Sequence, residues 1–147
     1  MAQKWLVNQN LWEDIDNIKL LGESSLQADF DEKNDIKAPV SPEEFLKNNV
    51  IESGLSDRDF LIMREIFRCE SEFEQYWPDG TVKVSEGNIG IAQINYLAHH
   101  EEYEELGLDP YNEFDNLEYA TILYKREGII PWAEWSGHCF LPKIKDL

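Results

Sequence analysis

Apolar positions recur every three or four residues in several stretches of the chain, which is the spacing of one buried helix face. The clearest repeat begins after Ser56, a residue type that caps helices. Its apolar members are Phe60, Ile62, Met63, Ile66, Phe67 and Phe73. A second helix is predicted over residues 116–127. Ser41 followed by Pro42 predicts a further helix start, with the helix ending near Gly54.

The centre of the chain has a different pattern, with short apolar runs separated by turn residues. Pro78-Asp79-Gly80 predicts a turn, and residues 81–84 form a short β-like run. Gly87 and Gly90 interrupt the next segment, which predicts a small hairpin or a three-stranded flap. The predicted fold class is therefore mainly α, of an α+β kind, in which a helical domain carries a small β-hairpin flap.

The first part of the chain is more polar than the rest. An amphipathic stretch within residues 5–21 can form a helix, and residues 22–39 are acidic and suit a solvated linker. We therefore predict an N-terminal extension of short helices and an acidic linker at residues 1–54, followed by a domain at residues 55–147.

Charge and composition narrow the possible partners. The 147 residues are 42% hydrophobic, with 30 acidic and 13 basic side chains and a net charge of −17. This balance disfavours a nucleic-acid partner, which requires a cationic face. No run approaches the roughly 18 apolar residues of a membrane-spanning helix, so membrane insertion is not expected. Residues 1–10 lack the features of a signal peptide, which leaves the localisation open.

The residues that most often bind metals do not cluster in the sequence. Cys69 and Cys139 lie far apart and are compatible either with one disulfide or with two buried thiols. The run His99-His100-Glu101-Glu102 suits a solvated polar face, because adjacent residues on a helix point about 100° apart. The sequence therefore predicts no metal site.

Glu70 is an acidic residue among the apolar positions of the clearest helix. It lies four residues after Ile66, three after Phe67 and three before Phe73, on or beside the buried face. A carboxyl group there loses hydration, so its pKa should rise. A protonated carboxyl near neutral pH is what general-acid cleavage of a glycosidic bond requires. The alternative interpretation is a solvated glutamate near a helix end.

Residues around Glu70 form a larger pattern. Glu70-Ser71 is followed at residues 87–95 by Gly-Asn-Ile-Gly-Ile-Ala-Gln-Ile-Asn, and later by Asn116 with Ala120 four positions on. This combination resembles the soluble lytic transglycosylases and goose-type lysozymes of the lysozyme superfamily. The resemblance covers well over half the chain. It implies a lysozyme-like domain whose flap lies beside a cleft.

The resemblance also implies a mechanism with one catalytic residue. Chicken-type lysozymes carry an aspartate where this sequence has Asn88, and an amide cannot form a covalent sugar intermediate. Glu70 would then protonate the leaving oxygen of the β-1,4 bond between N-acetylmuramic acid and N-acetylglucosamine. It would next take the proton of the C6 hydroxyl, which closes a 1,6-anhydro ring. One alternative is a hydrolytic lysozyme, in which Asp79 either assists the attacking water or is only a residue of the Pro-Asp-Gly turn. The other alternative is a non-catalytic module that binds glycan or protein.

Other residues are assigned to the substrate cleft by the same resemblance. They are Ser71, Asn88, Ile91, Gln93, Asn95, Asn116, Tyr124 and Trp135. Ile91 would offer backbone groups at the cleft floor, and Asn95 would do the same or cap the next helix. Tyr124 stands one position after the usual tyrosine of the family, which bonds the catalytic glutamate. Trp135 would stack on a sugar face or pack in the core.

The end of the chain resembles small bacterial relatives in which a final cysteine pairs with the one before the catalytic glutamate. The resemblance thus implies a disulfide between Cys69 and Cys139. Residues 55–147 are accordingly predicted to be a lysozyme-like transglycosylase domain that acts on peptidoglycan glycan strands. Neither a metal nor an organic cofactor is expected. The resemblance also implies a location that faces the cell wall, either extracellular or periplasmic.

Overall fold

The computed structural model describes residues 40–147, so the amphipathic stretch and acidic linker predicted before Val40 lie outside the described residues. The five helices of this part are α1 (Pro42–Glu52), α2 (Asp57–Ser71), α3 (Tyr96–Leu106), α4 (Glu113–Glu127) and α5 (Ile130–Ile144). Strands β1 (Val84–Ser85), β2 (Asn88–Ile89) and β3 (Ile94–Asn95) form an antiparallel sheet in that order. The predicted mainly-α fold with a small β flap is confirmed. Within residues 40–147, no helix is long and apolar enough to cross a membrane.

The predicted capping residues begin the first two helices. The Ser41 hydroxyl accepts a hydrogen bond from the Glu44 backbone N–H at 3.2 Å, and Pro42 follows at the first helical position. Ser56 and Asp59 cap α2 reciprocally. The Asp59 N–H donates to the Ser56 hydroxyl at 3.2 Å, and the Ser56 N–H donates to the Asp59 carboxylate at 2.8 Å. These bonds pair N–H groups that a helix start otherwise leaves unpaired.

Helix α2 supplies the centre of the core. Its buried apolar side chains are Phe60, Met63, Ile66 and Phe67, in agreement with the predicted face. Phe73 departs from the prediction because the helix ends at Ser71, and Glu72 and Phe73 both take left-handed backbone conformations with φ 63°. The chain therefore turns sharply just after Glu70 and Ser71.

Helix α1 belongs to the same unit as the helices that follow it. The sequence analysis places this helix in an extension that ends at residue 54, whereas the compact unit begins at Pro39. Leu46 and Val50, one turn apart, are fully buried in the core, and the helix packs on α2 and α4. Helix α1 thus packs with the helices of the domain predicted at residues 55–147.

Helix α5 packs against α2 and is also joined to it covalently. Cys69 and Cys139 form a disulfide with a Cα–Cα distance of 6.0 Å, which confirms the pairing that the resemblance implied. Trp132 of α5 is buried. Its ring packs edge-on against Phe67, and its indole N–H donates to the Ala92 carbonyl at 2.8 Å. Helix α5 thus connects α2 to the segment after β2.

Buried amides hold the segment after β2 in place. The Asn116 carbonyl oxygen accepts from the Ala92 N–H at 3.0 Å, and the Gln75 carbonyl oxygen accepts from the Ile91 N–H at 2.8 Å. Gly90 has φ +76°, and a Cβ built there would lie 2.4 Å from the Gln75 Oε1. Only glycine fits this position, where the flap folds back over the helices.

Candidate active site

Glu70 occupies the last turn of α2, just before the sharp turn at Glu72. Its side chain is half-buried, and its Oε1 accepts a hydrogen bond from the Ser136 hydroxyl of α5 at 2.5 Å. Burial raises the pKa of Glu70 above the ordinary value of a glutamate, and the hydrogen bond from Ser136 offsets part of that rise. The raised pKa agrees with the prediction for a carboxyl at the edge of an apolar face.

A cleft of about 210 Å³ opens beside Glu70. Four residues that the resemblance assigned to substrate binding line this cleft with it, namely Asn88, Gln93, Asn95 and Trp135. They come from β2, the segment before β3, the end of β3 and helix α5, so the cleft lies between the flap and the last helix. Trp135 is 69% exposed, which leaves the face of its ring available to a ligand.

Hydrogen bonds among the cleft amides set their positions. Asn95 caps α3 by accepting from the Ala98 N–H, and its amide N–H donates to the Asn88 oxygen, both at 3.1 Å. Gln93 has a left-handed φ of 48°, and its amide N–H donates to the Gly90 carbonyl at 2.8 Å. These amides are therefore preorganised around the cleft.

A second concavity, of about 370 Å³, also has Glu70 in its lining. Glu70 and Gln93 line both concavities, so the two adjoin at these residues. Trp77 lines the second one and is 49% exposed. The buried Lys83 ammonium lies 4.9 Å from the centroid of this ring and donates to the Glu74 carboxylate at 2.9 Å. An elongated ligand can thus contact the protein in both concavities.

Three of the predicted substrate-binding residues, Ser71, Ile91 and Asn116, make hydrogen bonds that support the flap from within. Ser71 is buried, and its hydroxyl donates to the Ile91 carbonyl at 2.7 Å. Both backbone groups of Ile91 are therefore occupied, since its N–H already donates to Gln75. Asn116 is fully buried and bonded to backbone groups around β2. None of the three lines the first cleft, and Ser71 lines the second concavity while its hydroxyl is bonded inside the protein.

Tyr124 also departs from its predicted place. Its hydroxyl donates to the Asp59 carboxylate at 3.0 Å, near the start of α2, while Glu70 lies at the end of that helix. Leu123, one position earlier on α4, lines the cleft instead. A displacement by one position rotates a side chain by about 100° around the helix, so the hydroxyl cannot reach Glu70.

Asp79 has the turn role that the sequence offered as one of its two interpretations. Its carboxylate accepts from the Thr81 N–H at 2.9 Å and from the Thr81 hydroxyl at 2.6 Å. These bonds lower the pKa of Asp79. The side chain is committed to the Pro-Asp-Gly turn and does not line either concavity beside Glu70.

Three residues at the site, one bonded to Glu70 and two lining the cleft, were not identified from the sequence. Ser136 contacts Glu70 from α5, and the disulfide could have indicated it, since Cys139 lies one turn after Ser136. Glu127 lines the cleft and pairs with the Arg126 guanidinium at 2.8 Å. His99 lines it too, with a side chain only 20% exposed, so the predicted solvated polar face is wrong for this residue.

No protein-family model, curated protein or solved structure matches this chain. The interpretation of the site therefore depends on its geometry and on the motifs around Glu70.

Proposed function

We propose that the protein is a peptidoglycan lytic transglycosylase of lysozyme-like fold, with Glu70 as its catalytic acid and base. One observation carries the proposal: a half-buried carboxyl with a raised pKa lies in a cleft and accepts a hydrogen bond from Ser136. A general acid must hold its proton near the working pH and must reach the leaving oxygen. The raised pKa of Glu70 favours the first requirement, and its position in the cleft favours the second.

In the proposed reaction, protonated Glu70 transfers its proton to the glycosidic oxygen as the bond from that oxygen to C1 breaks. The substrate's own N-acetyl group stabilises the positive charge at C1. The Glu70 carboxylate then takes the proton of the C6 hydroxyl, and O6 bonds to C1 to close the 1,6-anhydro ring. No water is consumed, and Glu70 is protonated again at the end.

Ser136 fits the interval between these two proton transfers. Its hydroxyl donates to Glu70, and a hydrogen bond to a charged carboxylate is stronger than one to the neutral acid. It therefore stabilises the intermediate state in which Glu70 has lost its proton. Burial acts in the opposite direction and favours the protonated state that begins the reaction.

The surroundings of Glu70 support a polymeric substrate. Two concavities adjoin at Glu70, and each has an exposed indole, Trp135 in one and Trp77 in the other. Indole faces commonly stack on sugar rings through their apolar surface. A glycan strand that crosses Glu70 would place sugars in both concavities and a glycosidic oxygen near the acid.

The second candidate outcome, hydrolysis, is favoured by one observation. Asn88 cannot act as a nucleophile, and Asp79 is bonded to Thr81, but the carboxylate of Glu127 shares the cleft with Glu70. Two carboxyl groups that flank a sugar can activate water for hydrolysis. A Glu127→Gln variant tests this directly, since it should leave transglycosylation unchanged and abolish hydrolysis.

The proposal is tested by digesting purified peptidoglycan and analysing the soluble products by mass spectrometry. We expect 1,6-anhydro products from the wild type, lighter by one water than hydrolysed ones, and none from Glu70→Gln. The matched control is Glu105→Gln, which changes an exposed glutamate of α3 and should behave as the wild type. Cleavage by Glu70→Gln would refute the mechanism. Hydrated products would show a hydrolase, and glycan binding without cleavage by the wild type would show a non-catalytic module.

A further inference from the structure

His99, at the start of α3, lines the cleft beside Glu70 but has no part in the proposed reaction. Its Nδ1 lies 2.9 Å from the Tyr119 hydroxyl. Tyr119 is fully buried, and its hydroxyl donates to the Glu102 carboxylate. The histidine is thus the end of a chain of polar groups that runs from the cleft into the packing between α3 and α4.

The direction of these hydrogen bonds determines which nitrogen of His99 carries the proton. The Arg126 guanidinium donates to Glu102 at 2.6 Å, which with the Tyr119 hydrogen bond lowers the pKa of this carboxyl to about 2. Glu102 therefore acts only as an acceptor, and the single hydroxyl proton of Tyr119 is directed to it. Towards His99, the Tyr119 oxygen can only accept. In the neutral imidazole the proton is consequently on Nδ1, and Nε2 carries a lone pair.

The Nε2 atom of His99 is the ring nitrogen that Tyr119 does not engage. It has no hydrogen-bond partner within residues 40–147. Among residues 40–147, the side-chain nitrogen or oxygen that is both buried and unpaired is the Arg64 Nε. Nε2 of His99 is therefore not a buried unpaired atom. Because the residue lines the cleft, this acceptor is available to a ligand bound next to Glu70.

We infer that His99 is a substrate-binding residue whose Nε2 accepts a hydrogen bond from a sugar in the cleft. The donor would be a hydroxyl or the acetamido N–H of an N-acetylated hexosamine, and the acetamido N–H is the group that can act only as a donor. This inference rests on the proposed function, since it assigns the ligand of the same cleft. It adds that Tyr119 and Glu102, which do not contact the ligand, select the tautomer that binds it.

The test measures binding separately from cleavage. In the Glu70→Gln background, isothermal titration calorimetry gives the Kd of the N-acetylglucosamine tetrasaccharide. His99→Asn keeps an amide N–H near the Nδ1 position and removes the acceptor at Nε2, whereas His99→Gln carries its amide out to the Nε2 position. We expect binding to weaken about 2- to 10-fold in His99→Asn, as for loss of one neutral hydrogen bond, and to be largely retained in His99→Gln.

A second ligand identifies the donor. Cellotetraose has the hydroxyls but no acetamido group, so an effect of His99→Asn on both ligands assigns a hydroxyl, and an effect on the N-acetylated ligand alone assigns the acetamido N–H. Equal Kd values for the Glu70→Gln parent and the Glu70→Gln/His99→Asn double variant would overturn the inference while leaving the proposed function intact. A parent variant that does not bind the tetrasaccharide would overturn it too. Tetrasaccharide binding without cleavage of peptidoglycan by the wild type would instead overturn the proposed function alone.

Discussion

The disulfide joins the two segments that supply Glu70 and its hydrogen-bond donor. Cys69 directly precedes Glu70, and Cys139 lies one turn after Ser136 on α5. The double variant Cys69→Ser/Cys139→Ser removes this cross-link without removing either functional side chain. We expect it to be clearly less stable than the wild type but to retain most of its activity while folded.

The size of the stability loss follows from the sequence separation of the two cysteines, which is 70 residues. Closing a loop of that length restricts the unfolded chain by about 4 kcal/mol in the chain-entropy model. Domains of this size are typically stable by about 5–15 kcal/mol, so the variant should still fold. At about 4 °C per kcal/mol, the melting temperature should fall by roughly 15 °C.

The activity of the folded variant should be preserved because other contacts also hold α5. Trp132 packs on Phe67 and bonds the Ala92 carbonyl, and Phe140 is fully buried on the same helix. These contacts keep Ser136 near Glu70 without the covalent link.

Urea and thermal unfolding followed by far-UV circular dichroism measure the loss, with glycan release measured well below the lower melting temperature. The oxidised wild type, the reduced wild type and the double variant should be compared. The last two should agree, and the reductant should not affect the variant. A stability loss under about 1 kcal/mol would refute the chain-entropy reasoning. Loss of activity in a fully folded variant would refute the claim that packing alone positions Ser136.

Three further substitutions test separate parts of the site. Ser136→Ala removes the donor that lowers the pKa of Glu70, so the alkaline limb of the pH–rate profile should move to higher pH; an unchanged limb would contradict this. Glu70→Gln should flatten the pH dependence of stability. A raised carboxyl pKa means that the native state holds the proton more tightly than the unfolded state. Wild-type stability therefore falls as the pH rises from the unfolded pKa through the raised folded one. Urea unfolding at pH 4 and pH 8 measures this, and parallel curves would argue against a desolvated acid. Gly90→Ala should lose about 2 kcal/mol more than the control Gly80→Ala, since both glycines have positive φ but only at Gly90 would the Cβ meet Gln75. Equal losses in thermal unfolding would count against a tight flap.

Local signals made the first helices and the flap predictable from the sequence. Capping at Ser41 and Ser56 acts within a few residues, and the spacing of the buried face of α2 is visible in the chain itself. Helix α5 offered no such signal. Its N-cap residue, Ile129, makes no side-chain cap, and the helix contains Pro142. Its position depends on packing against α2 and on the disulfide.

The same distinction applies to the site. An acid beside a buried helix face is, by itself, more often a solvated glutamate. Glu70 was singled out because the motif at residues 87–95 accompanies it, and Glu70 and Gln93 do line the same cleft. Ser136 could not be predicted from the sequence, because it lies 66 residues from Glu70 and reaches it only through tertiary packing. Tyr124 was misplaced for the opposite reason: the sequence position was close to the expected one, but one residue on a helix changes the face.

The protonation of Glu70 can be measured directly by following its side-chain carboxyl carbon with ¹³C NMR as the pH is varied, with Glu70→Gln identifying the resonance. We expect a titration midpoint above 4.5, the ordinary pKa of a glutamate, and a further rise in Ser136→Ala. A midpoint at or below that pKa would show that Glu70 is ionised when the substrate arrives, and it would contradict a role for this residue as the proton donor.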